Sequence, residues 1–283
     1  MAKRVPLTGC IFCGGRPLTA EHALGKWFRT SAGLAAPARV TKYRDDALTH
    51  EKYKPSFSEK LRVACLSCNT GWMHDLEDAV LPGIAEMVWG RPTMLLTATQ
   101  RLIAMWFVKT CCVCEYVDIE PGQHIPRAHY EQLHARRSSP PDWCQVWLGT
   151  ARLPPAEFGV RLTQWRCEAV TLPGLGGTPD IGWLGTLRVG PIVLQALGCV
   201  TRPTHMNRDD LRGGLIQIWP PAQHAVSFPR RPHVTFEQIL PPPPPGRSLH
   251  PALMDRPMGH ESGRGRLTPR SAGQPEPGDD DDV

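Results

Sequence analysis

The chain has 283 residues, 41% of them apolar and 21% charged, with a formal net charge of +5. That is enough chain for one large domain or two modest ones with a real core, and the composition is ordinary for a soluble globular protein. It excludes helices that cross a membrane: the longest apolar run, Leu102 to Val108, stops at Lys109, and a bilayer needs about 20 such residues.

The opening MAKRVPLTGC carries basic residues with no apolar stretch behind them, so no secretory signal is expected and the location expected is cytoplasmic. Thiols stay reduced there, and paired cysteines point to metal more often than to disulfides. Two CxxC knuckles occur, Cys10-Ile-Phe-Cys13 and Cys65-Leu-Ser-Cys68. A knuckle presents two thiolates at the bite that tetrahedral zinc requires, and Gly14 and Gly15 suit the tight turn after the first. One structural Zn²⁺ on Cys10, Cys13, Cys65 and Cys68 is the expectation, closing a gap of fifty-one residues.

Thr19-Ala20-Glu21-His22 follows the first knuckle, and Ala35 to Ser58, rich in Pro, Lys, Arg and Asp, then reads as a long surface excursion. Asn69 directly follows the second knuckle and opens a helical stretch with Leu76, Val80, Ile84 and Val88 at four-residue spacing, which Pro82 and Gly83 are expected to kink or split. Thr97 to Tyr116 is apolar nearly all round and predicts a buried helix. Cys111, Cys112 and Cys114 on that helix are expected to be small core residues.

From about Gln145 the pattern changes to short strands, expected at Gln145–Thr150, Gly159–Leu172, Trp183–Val189, Ile192–Val200 and Leu215–Trp219. WLGTARLPP and WLGTLRVGP share six of nine positions, but nothing flanking them matches. A polyproline run from Pro241 opens a tail ending in Asp279–Asp282, too poor in apolar residues to order itself. The organisation expected is α+β: residues 1–90 around the knuckles, 91–240 as a helix with a small antiparallel β-rich domain, and 241–283 as a disordered tail.

If one metal joins both knuckles, Glu21, His22 and Asn69 share a small volume. A carboxylate and an amide oxygen suit a hard divalent cation such as Mg²⁺, and an imidazole can take a proton from water. Each residue alone has a plainer reading: Glu-His is a common dipeptide, Asn69 suits a helix cap, and His22 suits zinc. The conjunction carries the functional reading. Charge agrees with it, since Met1 to His74 holds twelve Lys/Arg against five Asp/Glu, which suits a polyanion.

CIFCGGRPLTAEHALGKWF together with RVACLSCNTGWMHDLE resembles the HNH endonucleases in their zinc-knuckle, bacterial and phage form. The resemblance covers residues 10–28 and 62–77, with a weaker likeness of RLIAMWFVKTCCVCE and the VWLGT strand to actinobacterial and actinophage members. It implies a ββα-metal core, a general-base histidine at His22, catalytic-cation ligands at Glu21 and Asn69, and double-stranded DNA as partner. This chain departs from the pattern in three ways. Glu21 stands where aspartate is commoner, no asparagine lies between His22 and Asn69, and Asn69 stands where many members have histidine. Met73, one α-helical turn after Asn69, is a poor ligand, and His74 is rotated off that face. Beside the nuclease stand two other classes: a zinc-stapled nucleic-acid-binding protein without catalysis, and a purely structural zinc protein.

Overall fold

The computed structural model describes residues 7–25, 27, 37–44, 47–55, 60–117, 124–152, 163–172, 180–200, 205–206, 214–234 and 267–268. The polyproline run lies outside the described residues; of the tail, Leu267–Thr268 pairs with His205–Met206. Among the described residues the fold is mixed α+β, with three helices of ten residues or more and antiparallel sheets.

The chain begins with the first knuckle and then strand β1 (Leu18–His22), whose partner β4 (Lys60–Cys65) ends on the second knuckle. Their ladder runs from Leu18 opposite Cys65 to His22 opposite Lys60. Alternation along β4 buries Leu61 and Val63 and leaves Lys60 and Arg62 exposed. Between these strands, where the composition gave only an irregular excursion, the chain forms a ribbon of β2 (Pro37–Arg44) and β3 (Ala47–Pro55). Its strands alternate Val, Thr and Tyr with cations, and those β-formers suit a ladder.

After Cys68, a π-helical turn over Asn69–Met73 leads into α1 (His74–Val88), which is continuous through Pro82. Strand β5 (Thr93–Leu96) precedes α2 (Thr97–Cys114), buried without interruption from Ile103 onward. Cys111, Cys112 and Cys114 are core residues as expected, with burial pushing the Cys111 and Cys112 thiols well up from their ordinary pKa. Helix α3 (Arg127–Arg136) follows.

A five-stranded antiparallel sheet has the order β10-β6-β9-β8-β7, from Leu215–Trp219, Cys144–Thr150, Ile192–Cys199, Asp180–Val189 and Thr163–Leu172. Each strand lies on or within a residue or a few of its expected position. Gly190, at φ +55°, makes the two-residue turn between β8 and β9. Both faces of the sheet are covered, so β6 and β9 are buried along their whole length. Val146, Leu148 and Leu194 join the helices in one apolar cluster; Trp147, Val193 and Leu197 point into a second. A Cβ on Gly185 would lie 2.7 Å from Cys111 Sγ, so β8 needs glycine where it meets α2. Strand β11 (Ala225–Phe228) pairs with β5. The larger cluster runs from Cys10 to Phe228, so apolar packing is continuous across the boundary drawn at residue 90.

Candidate metal centre and adjoining cleft

The first knuckle is shaped by backbone hydrogen bonds. Gly14 N–H donates to Cys10 O at 2.8 Å, Cys10 N–H to Gly15 O at 3.0 Å, and Ile11 N–H to Val63 O at 2.9 Å, which seats the turn on β4. Gly14 adopts φ +76°, a conformation that glycine takes without steric cost. Gly15 N–H also donates to Cys13 Sγ at 3.4 Å.

The four sulfurs of Cys10, Cys13, Cys65 and Cys68 all lie within 4.8 Å of one another, with Cys13 at 3.5 Å from both Cys65 and Cys68. Zinc–thiolate bonds of about 2.3 Å put tetrahedral sulfurs about 3.8 Å apart, whereas a disulfide would need about 2.05 Å. The thiols are free, and the group can hold a metal ion such as zinc. Burial raises the Cys13 and Cys68 thiols. At Cys65 burial is outweighed by hydrogen bonds from the Cys68 backbone and the neighbouring thiols, so its pKa is lowered. Among the described residues, no other group of three or more Cys, His, Asp or Glu brings its ligand atoms together in this way.

Beside the cysteines lies a cleft of about 320 Å³ lined by Glu21, Asn69, Thr70, Met73, His74 and Glu77. Two of the three residues singled out from the sequence, Glu21 and Asn69, therefore face one space. His22 is not among the lining residues: it is half-buried, and strand alternation puts it on the opposite face from its neighbour Glu21. Asn69 does not cap the helix that follows it. Its Nδ2 donates to Thr19 Oγ1 at 2.9 Å, and that hydroxyl donates to Ala64 O at 3.1 Å, tying the helix start to both strands.

His74 corrects the expectation that it is rotated off the Asn69 face. That expectation assumed an α-helical 100° per residue. The turn at Asn69–Met73 is π-helical, with Gly71 leaving helical geometry at φ −99° and ψ −117°. A π turn brings residues five apart onto one face, so His74 lines the cleft with Asn69. Its Nε2 lies 3.5 Å from Asp78 Oδ2.

The floor of the cleft is charged, and composition gave no warning of it. Glu21 is 6% exposed, and burial pushes its carboxyl up to about 7, opposed by Lys109 and reinforced by Glu77. Glu77 accepts from Lys109 Nζ on one oxygen at 2.6 Å and from Trp27 Nε1 on the other at 3.2 Å. Trp27 is thus a packing residue, 6.0 Å from Trp106 between ring centroids. The one available signal was Lys109 itself, a lone cation on a helix apolar on every side.

No family model, curated protein or solved structure matches the chain.

Proposed function

We propose that the protein is a metal-dependent endonuclease of HNH type that hydrolyses phosphodiester bonds in double-stranded DNA. The observation that carries this reading is that Glu21 and Asn69 line one cleft directly beside the four-cysteine group. Support also comes from the order of elements, two antiparallel strands followed by a helix that the π-helical turn joins to the second knuckle. In this reading Zn²⁺ on Cys10, Cys13, Cys65 and Cys68 is structural and holds the cleft walls in place.

Glu21 and Asn69 would hold the catalytic Mg²⁺ or another hard divalent cation. The donor chemistry fits: a carboxylate is available at Glu21, and Asn69 spends its amide N–H on Thr19, leaving its oxygen for a cation. When bound, such a cation supplies charge stabilisation at phosphorus and at the leaving 3′ oxygen. With so few protein ligands it would keep several waters, which Mg²⁺ favours. Lys109 compensates part of the negative charge of Glu21 and Glu77 from below.

His22, next to Glu21 in β1 although not among the residues lining the cleft, is proposed on the HNH resemblance to take the proton from the attacking water. A second reading gives this role to His74, because its ring lines the cleft and has Asp78 beside it to orient it. The deciding experiment is cleavage of supercoiled plasmid by zinc-loaded protein across Mg²⁺, Mn²⁺ and Ni²⁺. Nicked or linear product supports the nuclease. DNA binding with no product under any cation would instead make this a catalytically inactive zinc-stapled nucleic-acid-binding protein.

A further inference from the structure

The end of the five-stranded sheet where β6 reaches Thr150 also holds the β8–β9 turn at Gly190. The segment after β11 crosses this end. Arg230 N–H donates to Thr150 Oγ1 at 2.7 Å, Val234 N–H donates to Thr150 O at 2.9 Å, and Val234 pairs with Ala151 in an isolated bridge. Arg152, Arg230, Arg231 and His233 are thereby gathered around the last residues of β6. Arg188 of β8 secures the chain there, donating to Gly190 O at 3.3 Å and to Arg152 O at 3.4 Å.

Arg230 lacks a counter-charge. It is half-buried, its Nε is buried without a hydrogen-bond partner, and burial with nothing to oppose it lowers its pKa. A cation in that setting is missing the partner that normally offsets desolvation. Arg152, Arg231 and His233 are exposed and, among the described residues, none of the four is in an ion pair. Residues 143–152, 181–200 and 214–234, the stretches that build this end, contain no Asp or Glu. Glu86, on the last turn of α1 that packs on Gly190 through Val88, is taken by Arg91 at 3.2 Å.

We infer that Arg230, with Arg152 and Arg231, forms a site for a phosphate group. A planar guanidinium presents several donors in a fork that matches phosphate oxygens, and it stays charged at physiological pH. Three such groups around one tetrahedral anion can each take an oxygen, whereas a carboxylate has only two. The anion supplies the counter-charge that Arg230 lacks. A nucleic-acid backbone and a free phosphate present the same chemistry, and the test separates them. The site is independent of the cleft and of the nuclease reading: α1, fifteen residues and about 22 Å long, runs from His74 at the cleft to Val88 beside Gly190.

The test uses the zinc-loaded full chain and two probes. Inorganic phosphate is read by thermal unfolding at constant ionic strength, and a 25-base-pair duplex by fluorescence anisotropy over a range of salt. With a Kd of about 1 mM, about 10 mM phosphate should raise the wild-type melting temperature by about 3 °C. Arg230→Gln should lose most of that rise. The exposed Arg152→Gln and Arg231→Gln should each lose part of it, which keeps the test decisive should Arg230→Gln fold poorly. If the occupant is a nucleic-acid backbone, the duplex reports instead: the same variants reduce the slope of log K against log salt by about 0.9 for each phosphate no longer neutralised. Arg101→Gln, at an exposed position on α2, should change neither reading. A change in either probe supports the site and names its occupant. A phosphate rise and a salt slope that stay at wild-type values in all three variants overturn it: the rise is then the general effect of an excluded salt, and the duplex binds elsewhere. So does a wild type that responds to neither probe. Neither reading uses cleavage, so the nuclease proposal stands or falls on the plasmid experiment alone.

Discussion

Lys109 of α2 reaches Glu77 of α1 with Nζ 2.6 Å from Oε1, the lysine side chain 1% exposed and the glutamate 13%. Burial alone would lower the pKa of the lysine, but Glu77 and Glu21 outweigh it and raise the pKa instead. The ammonium therefore stays charged inside the protein, and it joins the two helices under the cleft.

Removing one partner of such a pair leaves a buried charge with no compensation, which costs about 3–5 kcal/mol. Lys109→Ala is expected to lose that much stability in urea unfolding. Lys109→Met combined with Glu77→Gln should recover part of it, because Gln can still accept from Trp27 and Glu21, already raised to about 7 by burial, can take up a proton. A loss below about 1 kcal/mol for Lys109→Ala, within the range of exposed pairs, would show the pair to be solvated.

The cysteine group makes an equally direct prediction. Purified protein should hold about one zinc per chain, and Cys65→Ser or Cys68→Ser should reduce both zinc content and stability, since metal binding and folding are coupled. Losing about 4 kcal/mol would lower the melting temperature by roughly 10 °C in a domain of this size. Elemental analysis showing no metal, with mass spectrometry showing Cys10–Cys13 disulfides, would contradict the prediction.

His129 gives the protein a defined acid sensitivity. Its ring stacks on Trp143 at 3.7 Å, and its Nδ1 accepts from Trp183 Nε1 at 3.1 Å. Burial lowers its pKa from 6.5 to about 4, with a partial opposing effect from a hydrogen bond to the Cys199 backbone. Between those two values the unfolded chain binds a proton that the folded chain refuses, so stability falls as pH drops from about 6.5 to about 4. The contribution is fully present above pH 6.5 and amounts to about 3 kcal/mol. Subtracting the pH profile of His129→Gln from that of wild type should isolate it. An NMR titration in which His129 protonates near pH 6.5 would refute it.

These features differ in how far the sequence announced them. The α2 helix and the five sheet strands were legible because apolar period and β-branched content are local signals. The cysteine group was legible because CxxC spacing encodes a ligand bite. The ribbon was not, since its sequence alternates cations with β-formers and carries no apolar stripe to mark a strand. His74 was missed because nothing local distinguishes a π turn from an α turn at Gly71. The Glu21–Lys109–Glu77 grouping depends on how α1 and α2 pack, which no spacing within either segment reveals.

The assignment of the proton acceptor can be settled by comparing His22→Ala with His74→Ala in single-turnover plasmid cleavage. Neither residue belongs to the cysteine group, so both variants should keep their zinc and melt near wild type. A positioned general base contributes about 10²–10⁴ in rate, and His22→Ala is expected to lose that much, while His74→Ala stays within about tenfold. The reverse order would transfer the role to His74, whose ring lines the cleft and has Asp78 beside it. Asn69→Ala should behave differently from both. It removes a proposed cation ligand, so high Mg²⁺ or Mn²⁺ should restore part of the activity. It also removes the hydrogen bond to Thr19, which should cost about 1 kcal/mol of stability. If His22→Ala instead loses zinc, the imidazole belongs to the structural metal. If neither histidine variant slows cleavage, the water is activated elsewhere and the HNH reading of this cleft is wrong.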